Sequence, residues 1–276
     1  MSGTFAAALA LLLAAAPPLP FSESVDGARA VERARYSFVI GATKPFDEVY
    51  PRSVFEKKVK REAAEEKVLL REFGMSVTAE LLAAEYDRIE KETRAPDQWA
   101  AMKSALGNER QRVEQVVCRP LLVERALRRR YAFDPKIHEK ERQKARAARE
   151  VFLSGKTPPE AKTLRIARGG ASALPADDML KKAQAESKGT KVLSPGGPPG
   201  EPTTEKPVPV DPEMAKVLEK ELKTKGDVTT ILEERDRFSV FRLVAAGADE
   251  WLVEGVQIPK KDFDAWVGSR LSKATR

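Results

Sequence analysis

The chain has 276 residues, with 49 Lys and Arg against 42 Asp and Glu for a net charge of +7, and 42% of it is hydrophobic. Aromatic residues make up only 7%, too few for a β-sandwich or barrel, which draw on aromatic and β-branched side chains. A single cysteine, Cys118, excludes an internal disulfide and a cysteine-cluster zinc site; a single histidine, His138, excludes histidine-rich metal centres and acid–base schemes needing two imidazoles.

Residues 1–22 carry no charged side chain, and Phe5 to Ala16 is an unbroken apolar run of 12. Such a run fits the h-region of a secretory signal, roughly 7–15 residues, and falls short of the ~20 that cross a bilayer. No Lys or Arg precedes it. The sequence therefore predicts a periplasmic or secreted protein behind a leader over 1–22. One cysteine agrees with either redox compartment.

From Ser53 to Gly155 the apolar spacing is helical, and a helical domain is predicted over 31–155. Phe55, Val59, Ala63, Leu70 and Phe73 lie at helical intervals and end at Gly74, a suitable C′ residue. Thr78 is the expected N-cap of the next helix, with Leu82, Tyr86 and Ile89 on its apolar stripe. A short helix with Trp99, Met102 and Leu106 stops at Gly107, and Asn108 is read as the cap of the following one. Pro120 predicts a break or kink between Val117 and Leu121. Leu121, Leu122, Ala126, Leu127 and Tyr131 continue the apolar face, and Asp134-Pro135 opens a last polar helix towards Phe152.

Residues 156–210 read as a linker or insertion. Leu164-Arg165-Ile166 could form one short strand, whereas the Pro/Gly-rich run from Ser194 to Gly200 suits no regular structure, and roughly 170–209 is expected to be flexible. Over 211–276 a small α+β domain is predicted. Asp211-Pro212 caps a helix; Val228–Leu232 and Phe238–Val244 form a hairpin around Glu233–Arg237; Trp251–Ile258 is a third strand; and Phe263, Trp266, Val267 and Leu271 lie on a closing amphipathic helix. The fold class is thus mostly α, a multi-helix amino-terminal domain followed by a small α+β domain.

No clustered ligands at metal spacing, no Gly-rich phosphate loop in a strand–loop–helix context, and no nucleophile with a base beside it can be read from the chain. His138 lies among charged residues and reads as a solvated imidazole. Cys118, beside Val116 and Val117, reads as a small buried hydrophobe. No cofactor, metal or small-molecule substrate is expected. Residues 119–149 hold 11 Lys and Arg against four acids, and Arg125, Arg128, Arg129 and Arg130 form a basic patch within them. A solvated face is the plain reading of that patch. Binding of nucleic acid or of an anionic membrane surface is the alternative.

The stretch Phe55-Glu56-Lys57-Lys58-Val59, then Leu69 through Thr78, and Arg119 through Arg125 together resemble the helical amino-terminal domain of SurA-type periplasmic chaperones. Leu222-Lys223-Thr224-Lys225-Gly226-Asp227-Val228-Thr229, followed by Phe238 through Leu243, is similar to the end of a parvulin-type prolyl isomerase domain. Parvulin domains work with two facing histidines, a Cys or Asp near the prolyl ring and an apolar cradle. After residue 138 this chain has no histidine and no cysteine. The resemblance therefore implies a degenerate isomerase domain and a chaperone that binds unfolded or partly folded protein on hydrophobic helical surface. Candidate polypeptide-binding residues are Phe55, Phe73, Met75, Trp99, Met102 and Tyr131. An active peptidyl-prolyl isomerase is the second reading.

Overall fold

A computed structural model of the chain describes residues 15–168 and 210–274. Most of the apolar leader and the linker expected over 170–209 lie outside the described residues. The described chain is mostly helical with one small antiparallel sheet, and it divides into two compact units, Met1–Tyr131 with Asp262–Arg276, and Ala132–Lys261. The sequence reading grouped the helix ending near Phe152 with the preceding helices and the closing helix with the strands. The contacts assign each to the other unit.

The helical unit holds α1 (Phe21–Tyr36), α2 (Phe46–Val49), α3 (Arg52–Phe73), α4 (Ala79–Glu92), α5 (Pro96–Ala105) and α6 (Arg110–Val113). A five-residue π turn, Glu114–Cys118, then leads into α7 (Arg119–Ala132), and α10 (Phe263–Ala274) completes the unit from the far end of the chain. α1 begins inside the segment read as leader, and its sequence gave little sign of a helix. Its buried positions are Val25, Gly27 and Ala28, small residues rather than a broad apolar stripe. Gly27 is there for closeness, since a Cβ on it would meet Val116 Cγ2 at 2.7 Å.

Two caps fall where expected. Gly74 ends α3 at φ +64°, a conformation that glycine adopts without cost, and the Thr78 hydroxyl accepts from Leu81 N at 3.4 Å to start α4. Asn108 is not a cap; it is a left-handed residue at φ +58°, and α6 is capped by Glu109. The disturbance predicted at Pro120 falls mostly one turn upstream. In the π turn the Arg119 N–H reaches Glu114 O, so the helix has widened before the proline, whose missing N–H then lies in the first turn of α7.

Apolar clusters among the described residues hold the helical unit together. Val25, Ala28, Phe46, Phe55 and Val59 form one, joined by Tyr36 and Tyr50; Trp99, Leu106, Val113, Val117 and Cys118 form another. α10 adds an aromatic group, with Trp266 5.8 Å from Phe73 and 5.0 Å from Tyr131, ring centre to ring centre.

The second unit is a sheet between two helices, α8 (Glu139–Leu153) and α9 (Pro212–Glu221). The strands β1 (Lys162–Ala167), β2 (Leu232–Glu233), β3 (Arg237–Ala246) and β4 (Glu250–Pro259) are antiparallel in the order β1-β4-β3-β2. Alternation along β3 explains the layers. Phe238 and Val240 pack with Ala145, Ala148 and Phe152 of α8, while Phe241 and Leu243 pack with Leu218 of α9. Gly255 faces Phe241 across the β3–β4 ladder, and a Cβ there would lie 2.7 Å from the ring, so the missing side chain leaves room for the phenyl group.

The first predicted strand is mostly irregular. Only Val228 bridges to Arg242, and Leu232–Glu233 form the ladder proper. Between them Thr229 replaces a backbone acceptor, its hydroxyl taking the Phe241 N–H at 3.0 Å. His138 is a clear correction. It is fully buried ahead of α8 rather than solvated, on the spacing of Ala145, Ala148 and Phe152.

Candidate functional site

The sequence-derived residues do not form one open groove. Phe55, Trp99 and Tyr131 are 2%, 3% and 3% exposed, so they serve as core of the helical unit rather than as a surface for another chain. Phe73, Met75 and Met102 are half-buried; Phe73 lies against Trp266, and Met102 packs on the Trp99 cluster. The basic patch is also partly committed. Arg125 binds the Glu85 carboxylate, and Arg128 donates to Glu124 at 3.1 Å and lies 4.5 Å above the Phe263 ring. Arg129 and Arg130 are exposed at the end of α7.

A cleft of about 760 Å³ opens in the sheet unit instead. One wall is the carboxyl end of α8, where Phe152 is buried, Leu153 is 52% exposed and Gly155 turns the chain away at φ +80°. The opposite wall is the turn Lys225-Gly226-Asp227-Val228, and the floor comes from Arg242, Leu243 and Val244 of β3 with Glu254 of β4. Leu153, Val228 and Val244 give this trough its accessible apolar lining, while the Phe152 and Leu243 side chains belong to the cores on the two faces of the sheet.

Three charged groups of the cleft, Arg242, Glu254 and Asp227, are held by hydrogen bonds, while Lys225 in the same lining is exposed. Arg242 pairs with Glu254, the residue directly across the ladder, and also donates to Thr157 Oγ1 at 2.6 Å and Lys156 O at 3.0 Å. Its guanidinium lies 5.1 Å over the Phe152 ring. Thr157 in turn donates to Glu254 at 3.2 Å. Asp227 accepts from Lys223 N, Thr224 N and Thr224 Oγ1 at 2.7–2.9 Å. The two backbone N–H groups hold its carboxyl below the usual carboxylate range, with the Thr224 hydroxyl adding to them. General base or acid catalysis needs a group poised to exchange a proton with a ligand. Arg242, Glu254 and Asp227 are instead fixed within the lining, beside the exposed Lys225.

A second polar cluster of the sheet unit is structural. Lys260, with its side chain 1% exposed, donates to Glu233 Oε1 at 3.0 Å, to Glu234 O at 2.7 Å and to Ala132 O. Glu233 also receives Arg142 at 2.7 Å. The members of this cluster lie far apart in the chain, which hid it from sequence reasoning. Its only signal was Lys260 following the Pro259 that ends β4.

Among the described residues no group of His, Cys, Asp and Glu is placed to hold a metal ion, and no helix is long and apolar enough to cross a membrane. No family model, curated protein or solved structure matches the chain.

Proposed function

We propose that this protein holds unfolded or partly folded polypeptide and performs no chemistry on it, as a chaperone-like protein whose α+β unit is a degenerate relative of the parvulin domain. The observation that carries this reading is the 760 Å³ trough, with Leu153, Val228 and Val244 as its accessible apolar lining, whose Arg242 and Glu254 pair with each other and whose Asp227 is held by the hydrogen bonds of its own turn. Small-molecule sites depend on a few polar groups aimed at the ligand. A trough in which Arg242, Glu254 and Asp227 are held by neighbours gains mostly from apolar area leaving water, roughly 25 cal/mol per Å², and is tolerant of sequence. Prolyl rotation has a barrier of ~18–20 kcal/mol, and no histidine or cysteine is among the residues that line the cleft. The helix, the Gly226-Asp227-Val228-Thr229 turn and the hairpin that follows are in keeping with the parvulin resemblance. The apolar run Phe5–Ala16 supports export.

The test is suppression of aggregation of a chemically denatured model protein by the full chain, run beside a prolyl isomerisation assay. Protection without acceleration is expected. Leu153→Asp combined with Val244→Asp should weaken protection several-fold while leaving the melting temperature close to wild type, since both side chains are at least partly exposed. No protection at several-fold excess would overturn the reading.

A further inference from the structure

The loop between α1 and α2 exposes apolar side chains at its tip. Phe38, Val39 and Ile40 are 40%, 54% and 100% exposed, and every residue from Ser37 to Pro45 is exposed. Single exposed apolar residues are ordinary on a protein surface; three in succession at the end of one loop are not. The loop is also well built. The Tyr36 hydroxyl donates to Lys44 O at 2.8 Å and closes its base, Val39 N donates to Tyr36 O at 3.0 Å, and Gly41 makes the tip turn at φ +80°. Tyr36 itself is anchored edge-on against Phe46 and Tyr50, at 5.7 and 5.9 Å.

The surroundings are cationic. From Arg33 to Phe46 the chain carries Arg33, Arg35 and Lys44 and no carboxylate; over the wider span 29–52 there are five cations against three acids. Arg33 and Arg35 have side chains more than half exposed. Asp47 draws Arg29 and Arg33, and Glu32 reaches Arg35 only at 3.5 Å, while Lys44 is exposed.

We infer that the Phe38-Val39-Ile40 loop docks the protein on an anionic lipid surface, with the three apolar side chains entering the headgroup and acyl boundary and Arg35 and Lys44 meeting the lipid phosphates. Shape decides between this occupant and a polypeptide. A wholly exposed knob such as Ile40 needs a complementary hollow in a protein partner, whereas a bilayer deforms to cover it on all sides. Apolar insertion and electrostatic attraction then add, as they do for interfacial anchors generally. Half-buried tyrosines at the loop base, Tyr36 and Tyr50, are the amphipathic rings that favour the same interface.

The experiment is vesicle co-sedimentation of the full chain with phosphatidylcholine alone and with phosphatidylcholine mixed with phosphatidylglycerol. Binding is expected only to the anionic mixture, falling with salt, and the combined Phe38→Ser, Val39→Ser, Ile40→Ser variant should lose at least about tenfold in partitioning. Arg35→Gln with Lys44→Gln should lower it less and flatten its salt dependence. An Ile40→Cys variant carrying an environment-sensitive dye gives a second measurement, because Cys118 is buried and escapes labelling; the dye emission should shift to the blue on anionic vesicles. No binding to anionic vesicles, or binding undiminished by the triple variant, overturns the inference. So does a triple variant that keeps vesicle binding and loses aggregation suppression, which would make the loop a polypeptide contact.

Discussion

Arg125 lays both guanidinium nitrogens on the two oxygens of Glu85, 40 positions earlier in the chain, and that carboxylate is 1% exposed. Arg88, one turn along α4, binds the same two oxygens at 2.7 and 3.1 Å. Burial by itself would push the Glu85 carboxyl up. The hydrogen bonds from Arg88 and Arg125, with their charges, outweigh it and hold the group below its ordinary 4.5. A carboxyl depressed in the folded state stabilises the fold above its unfolded pKa, and that contribution is lost as pH falls through the folded value. Urea unfolding should therefore show wild-type stability dropping as pH falls below the ordinary glutamate value of 4.5. Glu85→Gln should cost about 1–3 kcal/mol at neutral pH and flatten the acid limb. An unchanged acid limb in the variant would show that other carboxylates dominate.

Gly255 and Phe241 make a second, purely steric prediction. Gly255→Ala puts a methyl group 2.7 Å from the buried Phe241 ring and 3.2 Å from Leu164 Cδ1. Overpacking of this kind costs about 1–3 kcal/mol. Phe241→Leu alone should also destabilise, yet combined with Gly255→Ala it should recover part of the loss. Additive losses in that double-mutant cycle would contradict the proposed fit between glycine and ring.

Lys260 links the point where the chain enters the sheet unit to the point where it leaves, through Ala132 O, Glu233 and Glu234 O. Lys260→Met keeps most of the stem and removes all three donors, so it leaves acceptors buried and unpaired. The expected loss is about 2–4 kcal/mol. Glu233 retains Arg142, which limits the damage. Hydrogen exchange should quicken across β3 and β4 while α3 and α4 stay protected. Uniform quickening throughout the described chain would mean that the two units unfold as one.

These relationships show where the sequence was readable. The short-range features, the Gly74 stop, the Thr78 cap and the strand over Phe238 to Val244, rest on residues close in the chain and were legible there. The Glu85–Arg125 fork and the pairing of Trp266 with Phe73 and Tyr131 join residues far apart in the chain, and no local pattern announces them. His138 misled because the four residues after it are all charged; its seven-residue spacing to Ala145 was the usable signal. The proposed cleft was illegible for a further reason. Its residues come from the end of α8, an irregular turn and two strands, and Arg242 and Glu254 look like an ordinary exposed pair until Thr157 and Phe152 are seen around them.

Cys118 gives the last prediction, a clock for opening of the helical unit. It follows Val117 at the end of the π turn, is fully buried among Trp99, Leu106 and Val113, and its thiol is pushed up to about 12, chiefly by burial and then by the nearby Glu85 and Glu114 charges. Only the thiolate reacts with disulfide reagents, so at about pH 8 the native protein should label far more slowly than denatured chain. Labelling that occurs must then pass through local or global opening. Glu85→Gln, which loosens the fork between α4 and α7, should speed it, whereas Gly255→Ala in the sheet unit should leave it near the wild-type rate. Equal acceleration by both variants would show that the thiol is reached only through unfolding of the whole chain.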